Sequence, residues 1–365
     1  MKTEHTKGTI LIAVLNWGLG HATRCIPIIQ KLQESNFTPI IASNGMALAL
    51  LKKEFPQIKH LELPSYQIEY PKRKILFKWK LIQSLPKIAK AVLDENKIVQ
   101  EWINQYDIDG IISDNRLGCY STKIPSVYIT HQINVMTGST TWFSSILHQY
   151  FIKKFNTCWV PDLQQSINLA GKLSHTQKGK LNLTYIGPIS RFQKKERPIQ
   201  YQLMIILSGP EPQRSLLETK LITEIVTFNG SVLFVKGIVT KDQIIERVRN
   251  TTYYNYMNSE QLEEALNESE LILCRSGYSS IMDLAQLEKK VFFIPTPGQF
   301  EQEYLAEKLE ADGIAPYMSQ DYFSIEALNK TTLYSGFVNL ETTVEWTALL
   351  NIFNKKTDSQ FHKET

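Results

Sequence analysis

Short β-branched runs alternate with amphipathic stretches along most of the chain, and this alternation predicts the architecture. Thr9–Leu15, Pro39–Ala42, Gly110–Ser113, Ser126–Thr130 and Thr157–Val160 are near-continuous apolar runs, the pattern of strands buried on both faces. Between them, Thr23–Glu34, Ala47–Phe55, Pro86–Tyr106 and Thr141–Phe155 place apolar residues at helical spacing. Pro27 falls early in the first of these helices, where a missing N–H costs little. A second series follows, with strands at Leu203–Leu207, Ser231–Val235, Tyr253–Met257, Leu271–Cys274 and Val291–Ile294. Its helices are expected at Arg214–Phe228, Ser259–Asn267, Tyr278–Leu287 and Gln302–Glu310. The polar, Pro-bounded stretch Arg191–Pro198 separates the two series. The fold class is therefore α/β, with two Rossmann-like, doubly wound domains. The boundaries are 1–190, a linker at 191–200, a second domain at 201–340, and a C-terminal helix and tail at 341–365.

Composition narrows the classes that fit. The chain has 365 residues, enough for two cores. Its net charge of +4 is too mild for a dedicated nucleic-acid binder, so no nucleic-acid partner is expected. Cys25, Cys119, Cys158 and Cys274 lie far apart, which excludes a zinc ribbon and favours reduced, buried thiols. The apolar run Ile10–Leu15 is too short for a signal segment or a bilayer span, so a cytoplasmic protein is expected.

Glycine-rich turns mark the candidate chemistry. The first strand runs into Asn16-Trp17-Gly18-Leu19-Gly20-His21-Ala22-Thr23-Arg24. Gly18 and Gly20 permit a tight turn and close approach of an anion to a helix N-terminus, although such turns also merely connect elements. Thr23 stands where a dinucleotide fingerprint needs its third glycine, which demotes NAD and FAD. In the second half, Cys274-Arg275-Ser276-Gly277-Tyr278 opens a helix whose free N–H groups can hold a diphosphate. Asp283 lies seven residues past Ser276, about 20° away around the helix and about 10 Å along it, a span that suits a ribose. A solvated helix face is the alternative. Glu301 and Gln302, after a Pro/Gly loop, offer bidentate partners for sugar hydroxyls, or are ordinary helix-start residues.

The runs RSGYSSIMDLAQ and VFFIPTPGQFEQEYLA, with GLGHATR near the start, resemble the GT-B glycosyltransferases of the family 28 type. Leu207-Ser208-Gly209 and Ile186-Gly187-Pro188 extend the resemblance over roughly residues 8–320. It implies two domains facing a central cleft, a UDP-sugar donor, and no metal or cofactor. It also implies that Ser208, Gly209, Ser276 and Gly277 surround the diphosphate, that Asp283 takes the ribose and that Gln302 contacts the sugar. Glu301 replaces a second glutamine of the family pattern, and Arg191 is a further candidate for the phosphates. His21 and Asp114 lie at strand and helix ends on one sheet edge, which suits an imidazole oriented by a carboxylate as general base. His131 is a candidate for the acceptor side, with Gly18 and Gly20. The pair Asp107 and Asp109 sits at a helix-to-strand junction and is read as turn chemistry rather than a metal motif.

The expected activity is inverting, metal-independent transfer to a hydroxyl acceptor. A UDP-sugar 2-epimerase of the same architecture and a non-catalytic nucleotide-sugar binder are the rivals. The epimerase needs a set of carboxylates around the sugar that is not evident here, and the binder does not need His21 and Asp114 together. Residues 71–93 carry Lys72, Arg73, Lys74, Lys78, Lys80, Lys87 and Lys90 among Phe77, Trp79 and Leu81, with no acidic residue. That pattern fits an anionic membrane surface and a lipid-linked acceptor, or a solvated helix packed on the first domain.

Overall fold

The computed structural model describes residues 6–66, 77–136, 141–165, 167–176, 181–338, 340 and 343–354, with backbone alone at 77–88 and 141–143. Seven parallel strands form the first sheet: β1 (Thr9–Val14), β2 (Thr38–Ser43), β3 (Lys59–Glu62), β4 (Ile108–Asp114), β5 (Ser126–Ile129), β6 (Thr157–Val160) and β7 (Leu183–Tyr185). Their order is β3-β2-β1-β4-β5-β6-β7. The second sheet contains β8 (Tyr201–Ile206), β9 (Val232–Val235), β10 (Ile245–Val248), β11 (Thr251–Tyr254), β12 (Ser269–Cys274) and β13 (Lys290–Phe293), in the order β10-β11-β9-β8-β12-β13. It is parallel except for the β10–β11 pair.

Each sheet reverses strand order once, between β1 and β4 and between β8 and β12. Crevices at the carboxyl ends of such switch points are where open α/β sheets bind ligands. His21 follows β1, Asp114 ends β4, Ser208 and Gly209 follow β8, and Ser276 and Gly277 follow β12. The topology thus brings these residues to two facing switch points.

Three strands lack the pattern that reveals the others. β3 and β7 are only partly buried edge strands, and β10 is exposed throughout, so none carries an apolar run. Helix α1 (Leu19–Glu34) begins four residues before the expected start, because Gly18 at φ 74° turns the chain straight into it. Pro27 is consequently interior to α1 rather than in its first turn. Its buried stripe of Ala22, Cys25, Ile26, Ile29 and Leu32 holds it on the sheet despite the lost hydrogen bond. Helix α2 (Gly45–Glu54) follows β2, and α3 (Phe77–Gln105) starts nine residues earlier than expected and runs through Pro86.

Beyond the second sheet the chain returns to the first domain. Helix α9 (Trp346–Leu350) and the turn after it place Leu350 and Phe353 in the core beneath α1. The Phe353 ring meets Phe37 and Trp159 edge-on at 6.4 and 6.3 Å. Gly110 in β4 leaves room for it, since a Cβ there would lie 2.3 Å from the ring. All four cysteines are free and buried.

Candidate active site at the interdomain cleft

The site is built from the ends of α1, β4 and β5 on one side. Helices α7 (Tyr278–Gln286) and α8 (Phe300–Ala311) form the other. Gly20 sets the approach of the two domains. A Cβ at that position would lie 2.3 Å from Ser279 Oγ in the first turn of α7. With Ser279 in place, the glycine lets the two helix N-termini meet this closely.

Asp114 is fully buried, and its carboxylate is the centre of the cluster. His21 Nδ1 lies 2.6 Å from Asp114 Oδ1. Arg24, one turn after His21 and 3% exposed, grips the same carboxylate with Nε to Oδ2 and Nη2 to Oδ1. Burial alone would raise the Asp114 carboxyl, but the charges of Arg24 and His21 and their hydrogen bonds hold it well below the usual range. An ionised carboxylate can only accept, so Nδ1 of His21 carries the proton and Nε2 keeps its lone pair. Burial lowers the His21 pKa, with Asp114 opposing and Arg24 reinforcing that shift. The imidazole is therefore a neutral base with its free nitrogen turned away from Asp114.

The loop after β4 is held by a second buried pair. Arg116 Nε lies 2.6 Å from Glu95 Oε1, and Glu95 Oε2 accepts from Gly118 N at 2.8 Å. This fixes the backbone immediately after Asp114.

His131 and Glu301 join the domains. Glu301 in α8 accepts at Oε1 from His131 Nε2 at 2.8 Å and at Oε2 from Gln132 Nε2 at 2.6 Å. The His131 ring stacks on Tyr278 with centroids 4.1 Å apart, and Tyr278 donates to Pro161 O at 2.6 Å. Burial would raise the Glu301 carboxyl, yet the His131 bond and the charges of His131, His21 and Arg24 bring it below its usual value. Both Glu301 oxygens thus also bridge to the first domain, which places this residue at the junction of the two domains.

The donor-side residues gather at the second switch point. Gly277 caps α7 with open space around it, and Gly209 adopts φ 101°. Ser276 is fully buried, and its Oγ donates to Gln302 O at 2.7 Å. Gln302 folds onto its own loop, accepting from Thr296 N at 2.9 Å and donating to Gln299 Oε1 at 2.6 Å. Asp283 is partly buried. It accepts from Ser190 Oγ at 2.6 Å, and burial raises its pKa to about 6 against the pull of Ser190 and Arg191. Arg191 donates to Ser259 Oγ at 2.8 Å, beside α6 (Ser259–Asn267), placing it next to Asp283 rather than in the glycine turns. Asp109 accepts from Thr9 N at 2.8 Å and Asp107 turns the chain at φ 48°, which are structural roles.

Sequence reasoning passed over three residues. Arg24 lies in the same glycine-rich motif, three residues after His21 and so on the same helix face, but nothing local shows that it is buried. Arg275 is buried with no carboxylate partner among the described residues. It donates to Ile294 O, Pro295 O, Gln213 O and Gln320 Oε1, and burial lowers its pKa to about 10, leaving it charged at neutral pH. It ties the loops after β12 and β13 to the start of α5 (Gln213–Glu224). Thr296, 2% exposed, has a hydroxyl without a partner among the described residues, 4.0 Å from where a Cβ on Gly209 would lie.

Comparison with known proteins shows what the chain as a whole is similar to. Residues 218–340 match the glycosyltransferase family 28 C-terminal domain. The UDP-N-acetylglucosamine–N-acetylmuramyl-(pentapeptide) pyrophosphoryl-undecaprenol N-acetylglucosamine transferase of Buchnera aphidicola is 24% identical over 264 residues, covering 68% of this chain and 69% of that protein. Its counterpart from Clostridium perfringens is 22% identical over 333 residues, covering 86% of each chain. The chain is a glycosyltransferase of GT-B fold, similar to the enzymes of family 28. Solved structures share the fold of this glycosyltransferase. MurG from Acinetobacter baumannii superposes with a TM-score of 0.59 at 12% identity, covering 96% of this chain and 100% of that one. The spinosyn rhamnosyltransferase SpnG superposes at 0.62 with 12% identity, covering 94% and 95%.

Proposed function

We propose that this glycosyltransferase moves a sugar from a UDP-sugar to a hydroxyl on a lipid-linked acceptor, with inversion and without a metal. The observation that carries the reading is the pair of a partly buried His21 and a fully buried Asp114, with Nε2 free among the described residues, at the switch point facing the second helix N-terminus. In the step, the acceptor O–H bond breaks and its proton passes to His21 Nε2. The oxygen attacks the anomeric carbon from the face opposite the leaving group. The bond from that carbon to the phosphate oxygen then breaks, and UDP leaves with the electron pair. Free N–H groups at the start of α7 and the buried Arg275 guanidinium offset the charge that grows on the diphosphate.

The named relatives act on UDP-N-acetylglucosamine and an undecaprenol-linked acceptor, and the lipid class of acceptor is taken from them. Asp283 is placed by this reading on the ribose hydroxyls, with Ser190 and Arg191 beside it. No helix among the described residues is long and apolar enough to cross a membrane. Such an acceptor is met at a membrane surface from the cytoplasmic side, and the basic-aromatic run at 71–93 is the segment proposed to meet it. Residues 71–76 and the side chains at 77–88 lie outside the described residues.

The test offers purified protein a panel of UDP-sugars with a short-chain lipid diphosphate-sugar acceptor in the presence of EDTA. UDP release coupled to a new β- or α-linkage of inverted configuration supports the reading. Epimerised donor without transfer, or activity abolished by EDTA and restored by a divalent cation, overturns it.

A further inference from the structure

A fully buried carboxylate needs a compensating positive charge, and which group supplies it decides what the neighbouring imidazole can do. If His21 were the sole partner of Asp114, the favoured state of the pair would be imidazolium against carboxylate, and the base would already hold its proton. Arg24 changes that balance. It contacts both carboxylate oxygens and, among the described residues, ion-pairs with Asp114 alone. Its Nη2 also lies 2.8 Å from His21 Nδ1, sharing Asp114 Oδ1 as a common acceptor. A guanidinium at that position opposes a second positive charge on the ring.

We propose that Arg24 is a positioning residue for the transfer step: its two-pronged pair with Asp114 keeps His21 unprotonated at Nε2 and turns Nδ1–H toward the carboxylate. The proposal rests on the reading of His21 as the base. The groups facing His21 and its carboxylate come from four elements. Arg24 lies on α1 with Cys25, whose thiol donates to Asp114; Asp114 ends β4, His131 follows β5 and Glu301 starts α8. Burial and the neighbouring carboxylate push the Cys25 thiol well up, so it adds no charge. Burial, Arg24 and His131 disfavour a proton on His21, whereas Asp114 and Glu301 favour one. Removing Arg24 leaves Asp114 and Glu301 unopposed by any fixed cation in the cluster.

The experiment follows the imidazole nitrogens by NMR in protein enriched with 15N-histidine, and the pH profile of kcat/KM, in wild type, Arg24→Gln and Arg24→Lys. The wild-type His21 signal should report a neutral ring with the proton on Nδ1 at pH 7. In Arg24→Gln its protonation midpoint should rise by at least one pH unit, and the acid limb of the rate profile should rise by the same amount. Arg24→Lys keeps the charge but not the two-pronged geometry, and its midpoint should fall between the two. An imidazolium at pH 7 in wild type overturns the proposal, and so does an unmoved midpoint in a folded Arg24→Gln variant. If Arg24→Gln does not fold, the wild-type ring and Arg24→Lys decide. A midpoint that does not move while the rate profile tracks the His21 titration removes Arg24 alone. A midpoint that moves without the rate profile following removes His21 as the base as well.

Discussion

Replacing Asp114 tests the energetic core of the site. In Asp114→Asn the isosteric amide keeps the shape but leaves the Arg24 guanidinium, 3% exposed, without an anion. Breaking a buried pair by removing one partner costs about 3–5 kcal/mol, because the remaining charge stays in the protein interior. Arg24→Met strands the carboxylate instead. Its cost should be smaller at pH 6 than at pH 8, since a protonated His21 can then replace the missing cation. The double variant Arg24→Met/Asp114→Asn buries no net charge. It should cost about 1–2 kcal/mol for lost hydrogen bonds, less than Asp114→Asn alone. Native-state hydrogen exchange at the β1 and β4 amides reads the opening of this domain without assuming that both domains unfold together. Additive costs in the double variant would refute the reasoning, because they would mean that neither charge depends on the other.

The unpartnered Thr296 hydroxyl is expected to bind the donor diphosphate, so Thr296→Val should weaken UDP binding by about 1 kcal/mol, roughly fivefold, and leave uridine affinity unchanged by calorimetry. Asp283 is raised to about 6 by burial, so its ionisation disfavours the fold as pH rises from about 4 through 6. Asp283→Asn, which keeps an acceptor for Ser190, should therefore raise thermal stability above pH 6 while lowering uridine affinity. In wild type, uridine affinity should itself fall below pH 6 as the carboxylate is lost. Gly20→Val should drive α1 from Ser279 and lower kcat with the secondary structure intact by circular dichroism. Gly20→Ala should lower it less, and Gly20→Ala/Ser279→Ala should recover much of that smaller loss.

The parts of the fold legible in the sequence are those whose burial is two-sided. β1, β4, β6, β8 and β12 are near-continuous apolar runs, and their order with the helices implies parallel crossovers. β3, β7 and β10 were not legible, because edge strands keep one face or both in water and carry no run to read. Helix starts were displaced where a glycine or a preceding polar turn, rather than the first apolar residue, sets the boundary. Gly18 did this to α1. Within the site, His21 and Asp114 could be brought together because each ends an element at the same sheet edge. Arg24 could not be assigned in that way, since an arginine on a helix is ordinarily solvated and only the tertiary structure shows what buries it. The loop before Glu301 marks it as a cleft residue, whereas its partners His131 and Gln132 come from the other domain, 170 and 169 residues away. No local pattern reports a contact of that kind.

Single-turnover transfer from a UDP-sugar by wild type and His21→Ala tests the central claim most directly. With donor affinity measured in parallel, the account expects the chemical step to slow by about 10²–10⁴ while the Kd for UDP stays within twofold. Transfer at the wild-type rate by a folded His21→Ala protein would contradict it.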